Sequence, residues 1–369
     1  MTLKVKDLLQ ELEKIAPFTL AEEWDNVGLL VGNPEAEVRG IYLCLDVDLT
    51  GLQNAVDKGC NVVLSHHPVL FKPLRQIHYN EPLGELLAVA IRNDLNLIAC
   101  HTNYDNAAAG VSNQLAQRLG LQNLQVLMPK EEQLYKLVVF VPRDYEKVVR
   151  QALGDAGAGY IGNYSHCTFA APGTGTFLPL EGTQPFIGTQ GQLEEVAEAR
   201  LETVVPKRIL KRVLQAMLAV HPYEEVAYDL IPLANEFQRE GLGCLGLLPQ
   251  PKTLAEFTAE LKEKLGLKTV KVAGELEKTV QKIAVCGGAG KIALNRALAL
   301  GADVLVTGEL GHHEAQAALQ QGMALIDAGH YATEVVALPY LASYLQQQLS
   351  SAAIPVILGK SEKDYWDFI

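Results

Sequence analysis

No pair of cysteines in this 369-residue chain stands in a CxxC spacing, and the six that occur (Cys44, Cys60, Cys100, Cys167, Cys244, Cys286) are widely scattered. Four of them lie in or beside apolar, strand-like runs, the pattern of buried, reduced thiols rather than of a disulfide framework. An excess of positive charge is missing as well. Lys and Arg number 31 against 43 Asp and Glu, a net charge of −12, which argues against non-specific nucleic-acid binding through a basic surface. A small anionic substrate is not excluded, because individual loops can still be positive. No run approaches the length of a transmembrane helix, and the opening MTLKVKDLLQELEKIAP is an amphipathic helix pattern without the apolar core of a signal peptide. Neither membrane insertion nor secretion is expected, and the reducing cytoplasm is the expected location. Internal repeats and low-complexity tracts are absent too. What is present is a composition of 49% hydrophobic and 20% charged residues, enough for a substantial core, over a length that suggests about two domains.

The patterning divides the chain in three. Residues 1–130 alternate helix and strand signals: a helix over Leu3–Ile15 ended by Pro17, a strand over Gly40–Val47, a helix over Leu49–Lys58, the strand NVVLSHHP, a helix near Gly84–Asn93, the strand LNLIACHT, and a helix over Ala108–Leu119 stopped by Gly120. This rhythm predicts an α/β fold with mainly parallel sheets and flanking helices. Residues 131–235 change style. A strand at Lys136–Pro142, a helix at Asp144–Ala156, a Gly/Thr-rich stretch of hairpin or loop material, a strand at Arg200–Pro206, a helix at Lys207–Ala219 and a strand at Glu225–Leu233 suggest a ferredoxin-like α+β unit. The first style returns over residues 236–369, so the expectation is one core domain interrupted by an inserted one.

Six of the nine histidines lie just past four apolar runs: CNVVLSHHP (Cys60–Pro68), NLIACHTNYD (Asn96–Asp105), ADVLVTGELGHH (Ala302–His313) and MALIDAGHYATE (Met323–Glu334). Buried parallel strands read as short Val/Ile/Leu stretches, and open α/β sheets bind ligands beyond the carboxyl ends of their strands. The runs therefore aim imidazoles from both ends of the chain at one crevice. A histidine after a strand is usually an ordinary loop or core residue, but four such strand ends in one chain are hard to ascribe to coincidence. His66 and His67 are adjacent, and neighbouring side chains on a strand diverge, which suits two metal ions better than one unless one of the pair lies outside the ligand set. Asp105 adds a hard oxygen ligand. His330 and Glu334 are four apart, on one face if the segment is helical. Imidazoles with shared carboxylates suit Zn²⁺, Mn²⁺ or Fe²⁺ better than Ca²⁺ or Mg²⁺. His101 fits a ligand, a partner that orients a carboxylate, or a proton carrier, and the catalytic role expected of it is the last. His312 and His313 have the same readings plus that of a plain surface helix. His78 reads as a loop residue, and His166 and His221 belong to the insert. CGGAGK (Cys286–Lys291) lacks the Walker spacing; a tight strand-to-helix turn is the commoner reading, and a phosphate cradle the rarer one. Asp25, in WDNVGLLVG, is expected to be structural.

The motifs SHHPVLF, HTNYDNA, TGELGHHEA and GHYATE, in this order and with WDNVGLLVG upstream, resemble the NIF-three-like family of dinuclear-metal-centre proteins, called GTP cyclohydrolase I type 2 homologues in bacteria. The resemblance covers both outer segments. It implies two divalent ions per subunit on His66, His67, Asp105, His330 and Glu334, with Glu334 bridging, and a toroidal homohexamer whose metal sites face an internal cavity. The middle segment, ending in HPYEEVAYDLIPL (His221–Leu233), looks like the PII-like insert of longer members, which is similar to small trimeric regulatory domains. Two functions follow as expectations. One is a metal-dependent hydrolase acting on a nucleotide or related small molecule. The other is a non-catalytic metal-binding regulator with the insert as its sensor.

Overall fold

The computed structural model describes residues 2–130, 133–162, 164–235, 240–359 and 364–366. The chain divides into two units, one made of Met1–Pro129 with Glu240–Ile369 and the other of Lys130–Arg239. The expected insert boundaries were residues 131 and 235.

The first unit holds two sheets. In the first, β1 (Gly28–Val31), β2 (Ile41–Cys44), β3 (Val62–Ser65), β4 (Asn96–Ala99) and β15 (Val356–Leu358) run in the order β1-β4-β3-β2-β15. The three central strands are buried at every position, as expected for strands covered on both faces. Alternate residues serve opposite faces. Ile41, Leu43, Val62, Leu64 and Ile98 pack with Leu8, Leu12, Leu341 and Leu345 of the helices Val5–Ile15 and Leu338–Gln348. Tyr42, Cys44, Val63 and Leu97 pack with Leu52, Ala55, Leu86 and Ala90 of the helices Leu49–Asp57 and Pro82–Arg92. The pairings among β15, β2, β3 and β4 are parallel, and β1 joins β4 antiparallel.

The second sheet contains β5 (Gln122–Pro129), β10 (Gly241–Thr253), β11 (Lys271–Ala273), β12 (Thr279–Cys286), β13 (Val304–Thr307) and β14 (Ala324–Asp327), in the order β11-β14-β13-β12-β10-β5. Here the expectation of mainly parallel pairing does not hold. Only β12–β13 and β13–β14 are parallel, and the other three pairings are antiparallel. For β5 and β10 the cause is the excursion between them. The chain leaves along β5 and returns along β10 in the opposite direction, with Pro129 and Gly241 as register partners.

The second unit is a four-stranded antiparallel sheet of β6 (Leu134–Pro142), β7 (Thr168–Phe177), β8 (Glu194–Pro206) and β9 (Tyr228–Leu233), in the order β7-β8-β6-β9. With the helices Glu146–Asp155 and Leu210–Val220 its element order is βαββαβ, that of a ferredoxin-like unit. Leu137, Val139, Val141, Leu201 and Val205 face Val149, Leu153, Val213 and Met217 of the helices. The Gly/Thr-rich stretch supplies a ten-residue strand paired along its whole length with β8. No helix among the described residues is long and apolar enough to cross a membrane.

Candidate metal centre

Parallel strands in register bring equivalent positions to one edge. Cys44, Ser65 and Ala99 are successive register partners at the ends of β2, β3 and β4. The residues two further on are Asp46, His67 and His101, and all three belong to one cluster. In the second sheet, Cys286, Thr307 and Asp327 are the corresponding partners. Two residues beyond the first two lie Gly288 and Glu309, and three beyond the last lies His330. Both sheets thus deliver side chains past the carboxyl ends of their parallel strands, the position at which such sheets bind ligands.

Glu334 stands at the centre, 4% exposed. It lies on the short helix His330–Val335, where the spacing of four puts His330 Nε2 3.1 Å from its Oε1. Its Oε2 is 3.1 Å from His67 Nε2, and its Oε1 is 3.8 Å from His66 Nε2. Asp105, on the turn Thr102–Asp105 after β4, places Oδ1 3.6 Å from the same His66 nitrogen. His66, His67 and His101 could serve one ion, and His67, His330 and Glu334 another, one donor atom of each residue lying within 4.8 Å of the others in its group.

The far side of every imidazole is tied to an acceptor. Nδ1 of His66 donates to the Cys100 carbonyl at 2.9 Å, that of His67 to Asp46 at 2.9 Å, that of His101 to Asp25 at 2.9 Å, and that of His330 to Glu309 at 2.8 Å. A carbonyl or carboxylate can only accept, so each neutral ring carries its proton on Nδ1 and turns the Nε2 lone pair into the cluster. Metal-binding histidines are oriented in this way. His66 Nε2 is buried with no hydrogen-bond partner among the described residues. A buried lone pair aimed at carboxylates and other imidazoles is a costly arrangement unless a cation fills the space between them. The donor set fits a divalent cation.

The electrostatics agree. Burial disfavours the charged form of His67, but its hydrogen bonds to Asp46 and Glu334 outweigh that and raise it to about 10. The hydrogen bond to Glu334 raises His330 to about 9. Burial opposes the Glu334 carboxylate, yet the charge of His66 and hydrogen bonds from the surrounding imidazoles hold it well below the usual range. Asp105 goes the other way, raised chiefly by burial. Asp25 is held low against burial by hydrogen bonds from His101 and Thr102. In the absence of a cation, protons occupy the place that a cation would take.

The sequence profile of Duf34/NIF3 (NGG1p interacting factor 3) matches residues 3–364. The chain belongs to the Duf34/NIF3 family. It is 44% identical over 330 residues to a GTP cyclohydrolase 1 type 2 homolog of Halalkalibacterium halodurans, covering 89% of each chain. It is 42% identical over 332 residues to the protein of that name in Bacillus subtilis, covering 90% of this chain and 89% of the relative. A crystal structure of a Bacillus cereus protein related to NIF3 superposes with a TM-score of 0.88 at 39% identity, over 100% of both chains.

In this NIF3-family chain the five residues expected as ligands and the expected proton carrier His101 lie together, from both halves of the first unit. His312 and His313 are exposed at the start of the helix His312–Gln320, and His78 is exposed in a loop. His166 and His221 are in the second unit. The CGGAGK turn is not a phosphate cradle. The N–H groups of Gly287, Gly288 and Gly290 already donate to Ser112, Thr333 and Thr307. The glycines are there for room. Gly288 has φ +61°, and a Cβ on it would fall 2.1 Å from Glu334 Oε1.

Sequence reasoning missed Asp46 and Glu309, and it gave Asp25 a structural role although Asp25 is the partner of His101. The available signal was positional. Asp46, His67, His101 and Glu309 share the offset of two residues past a strand end.

Proposed function

We propose that this chain carries a dinuclear divalent-metal centre and acts as a metal-dependent hydrolase on a nucleotide or related small molecule. The observation that carries the reading is the convergence of three Nδ1-tethered imidazoles, those of His66, His67 and His330, on the buried Glu334, with His101 beside His66 and His67, and with His66 Nε2 left without a hydrogen-bond partner among the described residues. His66, His67, Asp105, His330 and Glu334 would hold the ions, and their mixture of imidazole and carboxylate suits Zn²⁺, Mn²⁺ or Fe²⁺. Bound there, the ions would supply polarisation of a substrate oxygen and a water more acidic than bulk water.

The chain's own residues supply the rest. Asp46, Glu309 and Asp25 fix the rings of His67, His330 and His101. The nearness of His101 to His66 and His67 favours ligation over the proton-carrier role expected from sequence. Metal content of His101→Ala separates the two, since a ligand's loss lowers it and a proton carrier's loss leaves it intact. Trp24 and Phe71, 59% and 48% exposed, form a tilted pair 5.7 Å apart, with His101 at 6.1 and 6.3 Å. That aromatic wall beside the cluster suits a flat substrate such as a nucleobase, in keeping with the name that the relatives carry.

The testing experiment is elemental analysis together with a hydrolysis screen of nucleotides and phosphoesters. About two ions per chain are expected, with turnover that chelation abolishes. Full metal loading without any turnover would refute the hydrolase and favour the regulator, with the βαββαβ unit as a PII-like sensor. The homohexamer implied by the family resemblance is part of the proposal. Light scattering should give about six times the 40.1 kDa chain mass.

A further inference from the structure

The second unit's sheet packs its helices on one face only. On the other face, residues 178–193 and the 221–227 turn enclose a cavity of about 600 Å³, within the range of small-molecule sites. Its walls are aromatic and apolar. Phe177 and Tyr223 meet at 5.7 Å, Phe186 and Tyr223 at 6.5 Å, and Phe140 and Ala171 also line it. One charged group is buried in this lining. Glu198, on β8, is 6% exposed. Its Oε1 accepts the Tyr223 hydroxyl at 2.9 Å, and its Oε2 carries no hydrogen bond among the described residues. The nearby cation on the same face, Arg200, is held by Glu202 at 2.9 Å. Gly175 gives that carboxylate room, since a Cβ there would fall 2.1 Å from Oε2.

A carboxylate in an apolar cavity is costly unless a cation or strong donor joins it, and one neutral hydroxyl is a weak counterpart. Aromatic faces around it attract positive charge further. We propose that the second unit binds a small organic cation: a protonated amine or amidine on a flat apolar body, its N–H groups on Glu198 and its body against Phe177, Phe186 and Tyr223. Its residues all come from the second unit, and none of them belongs to the His/Glu cluster of the first.

The test is calorimetric titration of the full chain with benzamidine and tryptamine, and with their neutral counterparts benzyl alcohol and tryptophol. Both cations should bind, and each at least about tenfold more tightly than its neutral counterpart. Glu198→Gln should weaken the cations at least about tenfold while leaving the circular dichroism unchanged. Gly173→Trp, which keeps Glu198 but fills the cavity from the position paired with it, where a Cβ meets no atom within 4 Å, should abolish binding. Failure of both cations to bind, equal affinity for the neutral compounds, or indifference to both substitutions would overturn the proposal. So would a fall in oligomer mass in Glu198→Gln without probe binding to the parent chain, which would make the cavity a contact between copies.

Discussion

Replacing Glu334 by glutamine tests the electrostatics of the cluster through the pH dependence of stability in chelator. In the folded chain His67 lies at about 10 and His330 at about 9, against about 6.5 for a free imidazole. Both are raised, so the stability they contribute is fully present below about pH 6.5 and is lost as pH rises through 9 and 10. Between those limits the folded state holds up to two more protons than the unfolded one, which caps the loss at about 2.7 kcal/mol per pH unit. His330 is 36% exposed and shares Glu334 with the other rings, so about 1 kcal/mol per unit is the realistic figure. For a unit of this size that corresponds to roughly 2–4 °C in melting temperature per pH unit. Thermal denaturation of the chelated protein from pH 7 to 9.5 should show this decline. Glu334→Gln removes the anion that both rings share and should reduce the slope to about half, since Asp46 and Glu309 still hold His67 and His330. With Zn²⁺ present the slope should reverse, because ligation expels the same protons and metal affinity grows with pH. A flat profile for the chelated parent, or equal slopes in parent and variant, would refute the reasoning.

Three further outcomes are expected. Gly288→Ala should lower metal content while the chain stays folded, because the new methyl group lands on Glu334 Oε1 and the φ of +61° disfavours a side chain; undiminished metal by elemental analysis would contradict the close approach. Replacing residues 130–239 by a short Gly/Ser linker should leave a folded, metal-binding first unit, since Pro129 and Gly241 are register partners across β5 and β10; loss of metal in a well-folded variant would show that the second unit shapes the site. In the native protein one thiol per chain should react rapidly with a disulfide reagent at pH 8: Cys167 is part-exposed, the other five are buried, and burial pushes Cys100 and Cys286 to about 12. A second fast thiol would count against that packing.

The site was more legible in the sequence than the sheets were. Val62–Ser65 and Ala324–Asp327 are so apolar, and so abruptly followed by histidine, that period and position both mark them as buried strands with polar ends. The i, i+4 spacing of His330 and Glu334 carried over directly because a single helical turn fixes it. Asp46 and Glu309 were not found, because an acid beyond a strand looks the same in sequence whether it meets an imidazole or water. The mixed second sheet was not found either. Pairing direction there depends on β10 returning beside β5 after about 110 residues, and no local pattern records such a long-range choice. The short antiparallel β1 and β11 edges were hidden for a similar reason, since three or four residues are too few to display a period.

The pairing of β15 with β2 has a consequence for synthesis. Val356 is the register partner of Ile41, and His330 meets the same carboxylate as His67. At about 5–20 residues per second, roughly 15–50 s separate the emergence of the first histidine pair from that of the helix that completes the cluster. Through that interval β2, β3 and β4 have no β15 partner, and one face of their sheet lacks the helix Leu338–Gln348 that later covers it. A ribosome that stalls in between leaves a chain with an uncovered sheet and only part of the ligand set. Completion of the His/Glu cluster is therefore a late event on the folding route of this unit, because it waits for the helix His330–Val335.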